Sequence, residues 1–431
     1  VYYEWEFIKR LIQLFIVRLT MKASNFDLKN LDITLIDTFM MKDYISNDRW
    51  YGTFWEDLDS NIKAEIFFVP TVVNTSIIDF RFVANAMRHS ERNFILKEDF
   101  LKARDLLFAY LHKRRVIDIP LGSFNLYGLE LRDLVTEDIE NNRDVSTIIE
   151  ALITYRFISR ISEHGLRIRH SIDWFEGHSL DKLWNLAIKR FYPAVKRIGY
   201  ETFRSFPYYL STFPIHIERE AGTIPDIIAV QGNSCIESVK EFLSTQEVIV
   251  IPAFKYHHVW EYNYPEDNNY HAQILITLPM SMEASIRMIH LLIDSFNNFD
   301  NLLDQSIEFI IKPHPVHNIA SIKKKITQEF PSSFSFTNEK SFPKLLMSSS
   351  ILVTEASSTC LEAFAYGIPV IIIENPTGLT YDPVPKDISQ DLFLKCKIAE
   401  DFSNAIFHFL SYTSMQKKKN QKRGSEIRER Y

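Results

Sequence analysis

Glycine is scarce in this chain, with 11 in 431 residues, and neither G-x-G-x-x-G nor G-x-x-x-x-G-K-[S/T] occurs. A dinucleotide fingerprint and a P-loop are thereby excluded, because both cradle phosphate on glycine backbone. Cysteine is scarcer still. Cys235, Cys360 and Cys396 are scattered without metal spacing, so they read as reduced thiols of a cytoplasmic protein and not as a disulfide framework. The H-E-x-x-H signature is missing and no dedicated metal site is expected. No run of about eighteen uncharged apolar residues exists, so no transmembrane helix is expected. The apolar stretch Phe7 to Met21 is interrupted by Lys9, Arg10 and Arg18, and it lacks the small residues of a signal-peptide cleavage site. A formal net charge of −6 provides no basic face for a general nucleic-acid binder.

What is present is ordinary globular composition, 46% hydrophobic and 24% charged, on a chain too long for a single core. Two domains are expected. A chain beginning at Val1 is compatible with being part of a longer polypeptide. Strand-like runs alternate with helical patterns at Ile33 to Ile36, Ala64 to Val73, Asn93 to Leu96, Ile227 to Gln231 and Glu247 to Ile251. They continue at Gln273 to Leu278, Glu308 to Lys312, Ile351 to Thr354 and Val370 to Ile373. Such alternation predicts an α/β fold with parallel sheets covered on both faces. The region Leu129 to Ser162 breaks the pattern as a long, one-sidedly charged helical stretch. The polar segment Tyr262 to His271 reads as a linker. The domains are therefore expected at 1–265 and 266–431, with ligand bound where the strands end.

The most informative segment is Ile351 to Ile373. An apolar strand runs into Glu355 and the hydroxyl cluster Ser357, Ser358 and Thr359. A helix then carries Glu362, Gly367 closes it, and a second buried strand follows. Free N–H groups and the positive end of a helix dipole at such a turn suit a phosphate. One hydroxyl suffices to cap a helix, and three exceed that need. Glu362 could complete a capping box or hydrogen-bond a ribose, and Glu355 could play either part. Upstream, Lys312-Pro313-His314-Pro315 follows another strand. The two prolines hold His314 in an extended turn, where with Lys312 nearby it can donate to a phosphate and offset leaving-group charge.

A second constellation is Asp173, Trp174, Phe175, Glu176, Gly177 and His178, at the end of an apolar-alternating run and ahead of a helix starting at Ser179. Acid and base groups gathered there suggest catalysis, with Glu176 as base and Asp173 and His178 behind it. The alternative is that the aromatics pack and Glu176 caps the helix. The histidines in Phe254 to His258 are read as cleft-lining or merely superficial. Phe7 to Met21 is read as an amphipathic helix on the core, with a membrane-surface helix as the rival. The basic run Lys417 to Arg423 is read as a solvated or disordered tail, with an anionic lipid contact as the rival.

The pair of segments Lys312 to Pro315 and Glu355 to Ile371 resembles bacterial surface-carbohydrate glycosyltransferases of the GT-B fold, the group of polysialyltransferases, capsule Kdo transferases and, more distantly, CDP-glycerol polymerases. Trp174 to Glu201 and Ala221 to Gly232 are similar to segments of the same group. The resemblance implies two Rossmann-like domains facing a cleft. The C-terminal domain would bind a CMP-activated acidic sugar of the Kdo or sialic acid kind. His314, Ser357, Ser358 and Thr359 would hold the donor phosphate and Glu362 would lie near the ribose, with Lys312 and Glu355 counted among the donor-binding residues. The N-terminal domain would bind a glycan or lipid-linked acceptor and supply Glu176. Neither metal nor cofactor is required, and the expected location is the cytoplasm or the inner face of the plasma membrane. The acidic pair before glycine that serves many sialyltransferases is absent. Phe175 stands where the first acid would be, so inversion or retention stays open. The alternatives are a CDP-glycerol or CDP-ribitol phosphotransferase, a sugar-nucleotide epimerase, and a non-catalytic scaffold of a polysaccharide export complex.

Overall fold

The computed structural model describes residues 2–19, 31–46, 48–73, 75–117, 119, 121–123, 125–142, 146–202, 209–261, 273–297, 307–339, 341–355, 357–378, 382 and 384–430. The chain divides into two compact units, the first drawn mainly from residues up to Lys255 and the second mainly from Tyr256 onward. The break thus falls earlier than the expected 265. The expected linker, 262–271, lies outside the described residues.

The first unit carries the helix α1 (Tyr2–Leu19) and the strands β1 (Asp32–Met40), β2 (Ile66–Val72), β5 (Arg167–Trp174), β6 (Lys196–Glu201), β7 (Ile227–Val230) and β8 (Glu247–Val250), with a small hairpin of β3 (Asn125–Leu126) and β4 (Leu129–Glu130). Apart from the hairpin they form one parallel sheet in the order β2-β1-β5-β6-β7-β8. Pro70 sits in β2, an edge strand, where its missing N–H costs no ladder bond. Ile33, Leu35, Phe67 and Val69 pack one face against helices Ser146–Glu163 and Ser179–Phe191, with Phe157, Ile158, Trp184 and Ile188 all buried. On the other face Tyr51, Trp55, Phe68, Trp174 and Tyr200 form an aromatic layer, with Tyr51 stacked on Tyr200 at 5.3 Å.

The second unit repeats the plan with β9 (Gln273–Thr277), β10 (Glu308–Lys312), β11 (Phe334–Phe336), β12 (Ile351–Thr354), β13 (Val370–Ile373) and β14 (Phe393–Cys396), parallel throughout in the order β11-β10-β9-β12-β13-β14. β9, β12 and β13 are almost wholly buried, as the unbroken apolar runs require of central parallel strands.

In each unit the chain first winds outward to one side of its starting strand and then returns to fill the other side. The order reverses between β1 and β5 in the first unit and between β9 and β12 in the second. Loops leaving the carboxyl ends of strands at such a reversal diverge, and the gap they leave is where open α/β sheets bind ligand.

Three expectations are corrected. Asn93 to Leu96 is not a ladder strand. Only the single bridge Phe68–Phe94 forms, because the chain turns at Leu96 into a short helix at Lys97–Asp99. β11 and β14 were not anticipated, being short and half-buried at the sheet edges. The basic C-terminal run is not a disordered tail but part of the helix Ser414–Arg428. Thr413 and Gln416 cap each other, Asn420 is buried, Gly424 lies against the backbone of Gly367, and Arg428 Nε donates to the Ala365 carbonyl at 2.8 Å. Lys418, Lys419 and Lys422 remain exposed on its outer side. Among the described residues no helix is long and apolar enough to cross a membrane.

Candidate functional site

In the first unit the residues after β5 stand at the strand-order reversal. Gly177 turns the chain at φ +72°, and its Cα approaches the Ser211 carbonyl too closely for any side chain. Asp181, in the first turn of the next helix, pins the turn from below: its Oδ2 accepts from the backbone N–H of Glu176 at 2.8 Å and of His178 at 3.0 Å. Glu176 is thereby held with Oε1 accepting from the Trp174 indole at 2.8 Å and Oε2 3.3 Å from His178 Nε2. The hydrogen bond to Glu176 raises the His178 pKa above 6.5 against the opposing effect of burial, with Asp181 adding to the rise. Glu176 and His178 are thus in direct contact, and His178 is the more exposed of the two.

Asp173 lies apart from that pair. It is fully buried on the helix-covered face of β5, where Oδ2 accepts from Asn185 at 2.9 Å. Burial, together with the charges of Asp181 and Asp37, pushes its pKa well above the usual carboxylate range. Burial also raises Asp181 to about 7 and Asp37 to about 6. Asp173 therefore belongs to a proton-retaining cluster beneath the turn, without solvent access to a substrate. Asp181 was not singled out from the sequence. Its signal was present, as an acidic residue three positions after the residue that precedes the helix.

In the second unit β9 leads into Pro279 to Ser281, β10 into His314 and β12 into Glu355 and Ser357, so these residues follow the carboxyl ends of three neighbouring strands at the reversal. Ser357 Oγ accepts from the Thr359 N–H at 3.3 Å and from the Thr359 hydroxyl at 3.0 Å, while Ser358 makes no side-chain cap bond. The N-cap residue Ser358 thus leaves its hydroxyl out of capping, and the preceding Ser357 takes the first helical N–H instead, so the Ser358 hydroxyl is surplus. His314 is half-buried between its prolines. Its Nδ1 accepts weakly from the Val316 N–H at 3.4 Å and its carbonyl accepts from the His317 N–H at 2.9 Å, so the ring is steered by its own turn.

Three donor-site expectations acquire partners that the sequence did not reveal. Lys312 Nζ donates to the Glu339 carbonyl at 2.5 Å, and burial lowers its pKa. Glu355 Oε1 accepts from Arg287 at 3.2 Å, Oε2 is buried without a partner among the described residues, and burial raises the carboxyl's pKa. Glu362 is mostly buried, with Oε2 2.8 Å from His258 Nε2. The adjacent His257 faces Glu261 at 3.4 Å. The two histidines thus part company, His257 in the turn and His258 at the start of the short helix His258–Glu261. Arg287 and His258 are far from their partners in sequence, and no local spacing could have flagged them.

Two parallel, doubly wound six-stranded units define the GT-B fold class. Solved structures of that architecture match nearly the whole chain. A Staphylococcus aureus MnaA–UDP co-structure aligns with TM-score 0.51 and 12% identity over 92% of this chain and 91% of that one. A putative UDP-N-acetylglucosamine 2-epimerase from Listeria monocytogenes aligns with TM-score 0.51 and 13% identity over 93% and 91%. A UDP-forming trehalose-phosphate synthase from Burkholderia xenovorans aligns with TM-score 0.51 and 9% identity over 93% and 95%. At these identities the likeness is one of fold. The model of the LIC12162 family transferases matches residues 245–387, about a third of the chain, spanning β9 to β13 and both donor-site segments. No curated protein matches.

Proposed function

We propose that the chain is a glycosyltransferase that moves a sugar from a nucleotide-activated donor to a glycan acceptor. The observation that carries the proposal is positional: His314 follows β10 and Glu355, Ser357 and Ser358 follow β12, at the carboxyl ends of the two strands that flank the starting strand of the second unit, and Glu176 with His178 follows β5 beside the starting strand of the first. The match to a transferase family over the second set supports it.

In the proposed reaction an acceptor hydroxyl gives its proton to the Glu176–His178 pair as its oxygen attacks the anomeric carbon. The bond from that carbon to the donor phosphate breaks, and the phosphate leaves with the electron pair. His314, the surplus Ser358 hydroxyl and the backbone N–H groups of the turn are placed to stabilise the charge that develops. Glu362, steered by His258, would take the ribose. The donor is a CMP-activated acidic sugar of the Kdo or sialic acid type, the acceptor is a bacterial surface glycan, and any membrane contact is peripheral. A CMP donor departs as a monophosphate, so the chemistry needs no divalent ion.

Thermal-shift measurements with CMP, CDP, UDP and GDP test the donor. Stabilisation by CMP, lost in Ser357→Ala/Ser358→Ala, is the expected result. A protein stabilised only by UDP or GDP refutes the cytidine assignment, and UDP in particular would reopen the epimerase alternative, since all three of the like-fold structures named above carry UDP in their names and one is named an epimerase. Transfer that persists undiminished in both Glu176→Gln and His314→Ala would refute the assigned roles.

A further inference from the structure

Helix α1 is apolar on two opposite sides. One side is buried, with Leu14 and Val17 in the core of the first unit and Phe7 and Leu11 packed against it. The other carries Trp5, Ile8, Ile12, Phe15 and Leu19, of which Trp5 is 53%, Phe15 62% and Leu19 70% exposed. Those five recur at alternating steps of three and four. That spacing draws a narrow stripe along a helix and matches the a and d positions of two heptads. A stripe of this kind left in water marks an interaction surface.

We propose that this stripe is the interface of a twofold-symmetric dimer in which α1 pairs in parallel with α1 of a second copy. The charges select that occupant. With Trp5, Ile12 and Leu19 at a and Ile8 and Phe15 at d, Glu4 falls at g and Lys9 at the following e position. A parallel pair sets each g residue beside the e residue five positions on in its partner. Glu4 of each copy thus faces Lys9 of the other. One stripe satisfies both copies, which is what closed twofold symmetry requires.

A lipid surface fits less well. It would favour unengaged basic residues beside the stripe, whereas Arg10 is bound to Glu150 and Arg18 to the Leu101 carbonyl. The area is adequate only with help. At roughly 150–250 Å² for a fully buried aromatic, the five side chains present on the order of 500 Å² per copy, against about 800 Å² in a standard interface. Ile78 and Phe82, 73% and 63% exposed on the helix Ile77–Arg88 that packs beside α1, would supply the remainder.

Sedimentation velocity of the full chain over a concentration series tests the proposal. A dimer at tens of micromolar is expected, with Phe15→Glu raising its dissociation constant about tenfold or more while the melting temperature holds. Glu4→Lys should weaken the dimer, and adding Lys9→Glu should restore it. Trp5→Cys should cross-link to itself on oxidation, since the three native cysteines are buried and only a parallel pair brings position 5 to its own copy. A monomer at every concentration overturns the proposal, as does a dimer indifferent to Phe15→Glu. A monomer that binds phosphatidylglycerol vesicles and loses them on Phe15→Glu would overturn it in favour of lipid.

Discussion

Replacing Gly177 by alanine puts a methyl group where the Ser211 carbonyl already sits. The added Cβ would lie 1.9 Å from that oxygen, and contacts under 3.0 Å are not tolerated, so backbone must move by at least the difference of 1.1 Å. The positive φ adds its own cost of about 1–2 kcal/mol for an L-residue. Moving the turn strains the bonds from the Glu176 N–H to Asp181 and from the Phe175 N–H to the Tyr200 carbonyl, each contributing about 1 kcal/mol. The sum is on the order of 3–4 kcal/mol. Gly165 is the internal control. It sits at φ +75° with no atom within 4 Å of the added methyl, so Gly165→Ala should meet only the conformational cost of about 1–2 kcal/mol. At about 2–4 °C per kcal/mol for a unit of this size, differential scanning calorimetry should show a drop of a few degrees for Gly165→Ala and about ten degrees or so for Gly177→Ala. Transfer activity should fall only in Gly177→Ala, because only that change displaces Glu176, while the nucleotide-induced thermal shift should survive in both. Equal melting temperatures for the two variants would refute the claim that Ser211 locks the turn.

Other expectations follow from the buried charges and from the C-terminal helix. The His178 pKa is raised, so the His178 imidazolium beside Glu176 contributes stability that is fully present below the ordinary value of 6.5 and is lost as pH rises through the raised value. Activity should run the other way, rising with pH through the same value. Glu176→Gln should bring the His178 imidazole titration, followed by NMR, down toward 6.5, and an unchanged titration would dissolve the pair. Lys97 Nζ is buried against Thr71 Oγ1, Thr154 Oγ1 and Glu150, whose carboxyl burial would raise but Arg10 and Lys97 hold down at about 2. Lys97→Met should therefore cost about 3–5 kcal/mol in urea unfolding, since it leaves a buried charge short of a partner. Gly424→Ala would ordinarily help a helix by about 1 kcal/mol. Here the added methyl meets the Gly367 nitrogen at 2.6 Å and the Ala365 carbonyl at 2.8 Å, so the melting temperature should fall, and a rise would mean the helix is not docked there.

Much of the architecture was legible locally because a strand buried on both faces needs an unbroken apolar run, and β9, β12 and β13 each have one within a residue of the expected bounds, while β10 follows its expected bounds around a shorter apolar centre. The turn at Ser357 to Thr359 and the bend at Trp174 to His178 were equally visible, since hydroxyls, carboxylates and glycine at the end of a strand form a local pattern. The edge strands β11 and β14 were not, because a half-buried strand of three or four residues has no periodicity to detect. Nor was the docking of the C-terminal helix, which depends on two glycines far apart in sequence meeting across a helix contact. Composition and spacing determined the fold class and which residue types could meet a phosphate. Only the tertiary structure decided their states. Asp173 is sealed beneath the turn, while Glu176 is shared between Trp174 and His178, and Glu355 and Glu362 are claimed by Arg287 and His258. The physical reason is that burial and long-range partners set the charge and reach of a side chain, and neither is encoded in its immediate neighbours.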